Sequence, residues 1–171
     1  MRVLISEDEI RKRVDVVAGQ IAKAYAGQPL TIVGVLTGCL VFLADLIRRL
    51  DLPLKIALVQ ASSYRGKSTT AGDLHVQDEL LPDLKGRHIL LIDDILDTGK
   101  TLKHLVEHLK SLGIASLRTA VLLRKEGRQE LHVEPDFVGF TIPNEFVIGY
   151  GLDYDDEYRN LPFIGVLDGP G

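Results

Sequence analysis

The stretch HILLIDDILDTGKT, residues 88–101, gathers the side chains best suited to chemistry. An apolar strand leads into two adjacent carboxylates, Asp93 and Asp94, then a short loop of small polar residues, then a helix. Asp97, Thr98, Gly99, Lys100 and Thr101 can turn several backbone N–H groups and two hydroxyls toward one point at that helix N-terminus. Such a loop is an anion cradle suited to a phosphate monoester, and Gly99 allows close backbone approach. The helix dipole contributes only ~0.3–1 kcal/mol, so specific hydrogen bonds must supply most of the affinity. Asp93 and Asp94 would repel a phosphate; paired acceptors at a strand end suit the cis-diol of a ribose instead. A phosphate grip and a diol grip a few residues apart describe a sugar phosphate. Asp97 lies between them, where a carboxylate can take or give a proton at a reacting base.

Other motifs fit less well. A Walker A loop needs glycine five residues before Gly99, and Asp94 stands there. His104-Leu105-Val106-Glu107-His108 matches the H-x-x-E-H zinc pattern. His104 and His108 lie off the apolar stripe of their helix, whose C-terminal half points away from the cradle, so a polar helix face explains them. His75, His88 and His132 are read as structural.

The elements that must position these groups follow from periodicity. Ser6 and Glu9 have capping-box spacing, and Ile10, Val14, Val17, Ala18 and Ile21 line one face of a helix over residues 7–25. Buried strands are expected at 30–36, 54–59, 88–92 and 115–123, with helices at 40–50 and 101–112. Leu102, Leu105, Val106, Leu109 and Leu112 form the stripe of the last helix, and Gly113 ends it. Short strands follow near 137–141 and 146–149, then an acidic turn. Residues 61–77 are polar and rich in Ser, Thr and Gly, the composition of a disordered segment or a functional lid. Alternating strands and helices imply an α/β fold, a parallel β-sheet flanked by helices with right-handed crossovers. Ligands then bind beyond the strand carboxyl ends, at Thr37–Gly38, at residues 93–101 and at Arg124–Lys125.

The chain has 171 residues, enough for one domain over 1–171 with its own core. Its net charge of −4 gives no overall footprint for nucleic acid, although Arg118, Arg124, Lys125 and Arg128 cluster in one segment. Cys39 is the only cysteine, which excludes an intrachain disulfide and points to a reducing compartment. With no signal-like N-terminus and no apolar run of membrane-spanning length, the cytoplasm is the expected location.

Residues 88–101 resemble the 5-phosphoribosyl-1-pyrophosphate (PRPP) signature of type I phosphoribosyltransferases, and the resemblance extends over about residues 30–165. It is nearest the hypoxanthine–guanine branch, whose purine-salvage members usually carry Glu-Asp where Asp93-Asp94 stand here. GVLTGCLVFLADLI, residues 34–47, resembles that branch's pyrophosphate loop and helix, with Thr37 and Gly38 as contacts; Cys39 replaces the usual small residue and reads as a packed side chain. Ser63-Tyr64 resembles the start of a loop that closes over the site and excludes water.

The resemblance further implies that LLRKEG and PNEFVIGYGLDYDDEYR form a base-binding hood over about residues 124–171. Lys125 would donate to purine O6, Phe146 would stack on the base, and the Val147 backbone would meet its edge. Asp153 would assist a second Mg²⁺ and, through its backbone, bind the base, and Arg159 would contact pyrophosphate. Asp93 and Asp94 would hold the ribose hydroxyls and, partly through water or ligand, Mg²⁺. Glu145 stands where some relatives have Lys. Lys125 is donor-only, so a 6-oxopurine is expected and adenine rejected. The implied reaction takes PRPP and hypoxanthine or guanine to IMP or GMP and pyrophosphate, in a homodimer or homotetramer. A transferase for xanthine or a pyrimidine, and a nucleotide-sensing RNA-binding regulator on the same fold, are the alternatives. The acidic balance and the presence of Asp97 disfavour the regulator.

Overall fold

The computed structural model describes residues 1–63 and 74–168. Among them, six strands make the main sheet: β2 (Leu30–Leu36), β3 (Leu54–Ser63), β4 (Leu74–Gln77), β5 (His88–Leu96), β6 (Ser116–Lys125) and β7 (Phe137–Ile142). Their order is β4-β3-β2-β5-β6-β7, parallel throughout except that β4 pairs antiparallel with β3. A second, antiparallel sheet has the order β1-β9-β8, from β1 (Arg2–Ile5), β9 (Ile164–Val166) and β8 (Val147–Ile148).

β5 is central, and Ile89, Leu90, Leu91 and Ile92 are fully buried, as a parallel strand covered on both faces requires. Its alternate side chains enter different cores. Leu90 and Ile92 pack with α1 (Glu7–Ala24) and α2 (Leu40–Ile47). Ile89 and Leu91 pack with Leu102, Leu105 and Leu109 of α3 (Lys100–Lys110). α1 begins at the expected capping box, with Glu9 N donating to Ser6 Oγ and Ser6 N to Glu9 Oε2, both at 3.2 Å. Its buried face is Ile10, Val14, Val17, Ala18 and Ile21, as the spacing predicts.

Several boundaries differ from expectation, each because of a neighbouring strand or turn. β5 runs on past Ile92 because β6 still offers partners: Asp93 pairs with Val121, Ile95 with Leu123 and Leu96 with Arg124. The acid pair therefore sits inside the last turns of the sheet rather than after it. β3 runs on to Ser63 because β4 supplies a hairpin partner, Gln60 to Gln77 through Ser63 to Leu74. Residues 61–63 and 74–77 are thus paired strand, not open loop; Tyr64 lies outside the described residues. α2 stops at Ile47, where Arg49 and Leu50 donate three residues back to Leu46 and Ile47 at 3.0 and 3.2 Å. α3 gives way to a turn after Lys110, with Gly113 at φ 74°. β1 and β9 have no counterpart among the expected strands, since three or four residues carry no usable periodicity. Among the described residues, no helix is long and apolar enough to cross a membrane.

Leu105 is fully buried where α3 meets the sheet. Leu105→Ala is expected to cost ~2–5 kcal/mol in urea unfolding; a loss under ~1 kcal/mol would show that α3 is not anchored through this face.

Candidate active site

The carboxyl ends of β2, β5 and β6 lie side by side, and the sequence singled out the residues that leave all three. Asp93 and Asp94 point to opposite faces of β5. Asp94 follows Leu90 and Ile92 to the α2 side and abuts the turn after β2: a Cβ on Gly38 would stand 1.8 Å from Asp94 Oδ2. Only glycine leaves room there for the carboxylate. Asp93 is 7% exposed, and its Oδ1 accepts from the Asp94 backbone N–H at 2.8 Å. Asp94 Oδ1 accepts from Ile95 N at 2.7 Å. Burial, then the Asp94 charge, raises Asp93 well above the ordinary carboxylate range.

Thr37, Gly38 and Cys39 form the turn between β2 and α2, with a cis Leu36–Thr37 peptide. Gly38 also touches the far end of the chain, since a Cβ on Gly151 (φ 98°) would lie 2.4 Å from Gly38 O. Cys39 is completely buried. Burial first, then the charges of Asp93 and Asp94, push its thiol up to about 12. The packed reading of Cys39 thus has a physical basis.

A cavity of about 250 Å³ lies beside these turns, lined by Asp93, Asp94, Asp97, Thr98, Gly99 and Thr101 among others. Gly99 takes the left-handed conformation (φ 90°) that starts α3. A Cβ at Gly99 would meet Leu131 O at 2.6 Å, so a segment after β6 backs the cradle. Thr98 O accepts from Glu130 N (2.9 Å) and Leu131 N (3.1 Å), and Lys100 Nζ pairs with Glu130 at 2.8 Å. Asp97 is flanked by two cations: Arg128 Nε donates to Oδ1 at 2.8 Å, and Lys125 Nζ lies 3.5 Å from Oδ2.

Arg128, Glu130 and Leu131 are functional neighbours that the sequence did not reveal; its only signal was the positive charge of residues 118–128. That charge is dispersed. Arg118 lies over the Tyr25 ring at 4.8 Å, and Arg124 pairs with Glu134 at 3.0 Å.

The hood residues converge from the smaller sheet. Val147 is buried in β8 opposite Val166, whereas Phe146 just before it is 40% exposed. The Phe146 ring meets Tyr154 edge-on, centroids 5.7 Å apart at 88°. Glu145 receives both bonds from Arg2 Nη2 at 3.0 Å, which ties β1 to the start of β8. Arg159 donates to Gly151 O at 2.6 Å, one contact from the Gly38 turn, and pairs with Asp153 at 3.3 Å. Asp153 does not join Asp93 and Asp94: among the described residues no three His, Cys, Asp or Glu are grouped to hold a metal. His108 Nε2 is 3.0 Å from Asp78 Oδ2, and His88 Nδ1 is 2.7 Å from Ser116 Oγ. β3 reaches Ser63 on the same edge as the Gly38 turn, Leu36 pairing with Gln60.

A buried, protonated thiol should resist modification. Cys39 is expected to stay silent toward a chromogenic disulfide at pH 8 in the native protein and to react fully in guanidinium. Rapid native labelling would contradict this packing.

Comparison with known proteins agrees with this geometry. Residues 6–155 match the family model described as a phosphoribosyl transferase domain. The chain is 43% identical over 166 residues to the hypoxanthine-guanine phosphoribosyltransferase of Streptococcus pneumoniae, covering 97% of this chain and 92% of that protein. The Staphylococcus aureus enzyme of the same name is 42% identical over 165 residues, covering 96% and 92%. A crystal structure of a Bacillus anthracis hypoxanthine-guanine phosphoribosyltransferase superposes with a TM-score of 0.93 at 35% identity, covering 98% of both chains. A ternary substrate complex of Trypanosoma cruzi hypoxanthine phosphoribosyltransferase gives 0.91 at 39% identity, covering 98% of this chain and 95% of that one. The chain belongs to the type I phosphoribosyltransferases, in their hypoxanthine-guanine phosphoribosyltransferase family.

Proposed function

We propose that this enzyme transfers the 5-phosphoribosyl group of PRPP to hypoxanthine or guanine in purine salvage, giving IMP or GMP and pyrophosphate. One observation carries the reading: Asp97 and Lys125, a proton-exchanging carboxylate and a purine-O6 donor, stand 3.5 Å apart beside the phosphate cradle. In the reaction the bond from ribose C1 to the pyrophosphate oxygen breaks as the bond from C1 to purine N9 forms. The neutral base must then lose the proton on N7, and Asp97 receives it. Lys125 holds O6, Phe146 offers its exposed face to the ring, and the Val147 backbone borders the base edge.

The residues 97–101 cradle binds the 5-phosphate, and Asp93 and Asp94 hold the ribose hydroxyls. Thr37, Gly38 and Arg159 face the pyrophosphate. Asp93 and Asp94 have no cationic partner among the described residues and offer only oxygen donors, which fits Mg²⁺ held jointly with ligand oxygens. Bound there, Mg²⁺ supplies charge neutralisation for the leaving pyrophosphate. Asp153 would assist a second Mg²⁺ and, through its backbone, the base, and Ser63 ends β3 at the same sheet edge as the Gly38 turn. The chain, residues 1–171, acts as one catalytic domain, with a base-binding hood over about residues 124–171. A homodimer or homotetramer is the proposed assembly, to be read from light scattering after gel filtration.

Asp97→Asn is expected to lower turnover ~10²–10⁴-fold with unchanged urea unfolding; wild-type turnover would remove Asp97 from the mechanism. Lys125→Ala should raise KM for the base more than KM for PRPP, and equal rises would remove its O6 role. With the wild-type protein, hypoxanthine or guanine should yield nucleotide and adenine should not, because a donor-only Lys125 cannot satisfy an amino group. Turnover of adenine at a similar rate would overturn the base assignment.

A further inference from the structure

We infer that Arg128 is a positioning residue for Asp97, holding one carboxylate oxygen so that the other is presented to the purine proton. The inference rests on the reading of Asp97 as the proton acceptor. Asp97 lies on a short loop between β5 and α3, and its side chain is 37% exposed. Among the described residues, its side chain is held by Lys125 at Oδ2 and by Arg128 at Oδ1. These two holds differ in what happens when a base arrives. A 6-oxopurine draws Lys125 toward O6, which frees Oδ2 at the moment when it must face N7. Without a second hold the carboxylate could then rotate about χ1 and χ2.

Arg128 remains, because its Nε–H bond at 2.8 Å goes to the other oxygen. It approaches from a segment already fixed against the cradle by Glu130 N and Leu131 N on Thr98 O and by the Lys100–Glu130 ion pair. Arg128 and the phosphate loop therefore move as one piece, so the carboxylate is set relative to the ribose phosphate as well as to the base. The donor is Nε, the atom nearest the backbone in the guanidinium. Its distal nitrogens are not required for the bond. An exposed ion pair adds little to folding, so the contact is poorly explained as a stability device.

Position four along the side chain identifies the tests. Methionine keeps the aliphatic stem of Arg128 and removes the donor. Glutamine places an amide nitrogen at the former Nε position. Arg128→Met is expected to lower kcat on the order of 10- to 100-fold, with KM for PRPP and for hypoxanthine within about 3-fold of wild type. Arg128→Gln should recover kcat to within about 3-fold of wild type.

The same substitution in the Asp97→Asn protein is the decisive arm. Arg128→Met should lower the residual turnover of that variant less than about 2-fold, since no carboxylate is left to orient. An equal loss in both backgrounds, an unchanged kcat in the single variant, or no recovery by glutamine would overturn the positioning role. Full turnover in Asp97→Asn alone would instead overturn the reading of Asp97 itself, and with it this inference.

Discussion

Two adjacent carboxyl groups with no cationic partner among the described residues, one buried and one half-buried at the end of a strand covered on both faces, are the constraint around which this molecule is arranged. Burying charge without a partner costs several kcal/mol in ordinary protein surroundings. Here the backbone N–H groups of Asp94 and Ile95 meet part of that cost, and Asp93 meets more of it by favouring its protonated form. The neighbouring turns are shaped by the same pair. Gly38 must lack a side chain for Asp94 to fit, and Cys39 is held as a thiol first by its burial and then by the acid pair beside it.

The cradle a few residues on solves the opposite problem. On the proposed reading it attracts an anion within a chain of net charge −4 through backbone N–H groups at a helix start rather than through a basic patch. Its geometry depends on residues that follow β6. Leu131 O closes against Gly99, Thr98 O accepts two N–H groups, and Lys100 pairs with Glu130. Lys125 at the end of β6 and Arg128 just after it both pair with Asp97, which offsets the negative charge of that carboxylate beside the loop.

The small antiparallel sheet connects chain ends to the same place. Arg2 grips Glu145, β1 and β8 both pair with β9, and the glycine at 151 lies against Gly38. The segment after β8 and the turn after β2 therefore meet at one backbone contact, with Arg159 donating to Gly151 O beside it.

What the sequence determined by itself was everything carried by short-range order. The PRPP signature, the capping box of α1, the apolar stripe of α3 and the run of buried strands each lie within about a dozen residues, where periodicity and turn chemistry operate. The acid pair and the cradle were legible for that reason, as was the family. The structure alone decided that β5 carries its acids inside the sheet, since this depended on how far β6 extends. It alone formed β1 and β9, whose few residues are stable only when paired across the whole chain. It alone set Arg128 on Asp97 and Leu131 on Gly99, contacts between segments about thirty residues apart that no local pattern encodes.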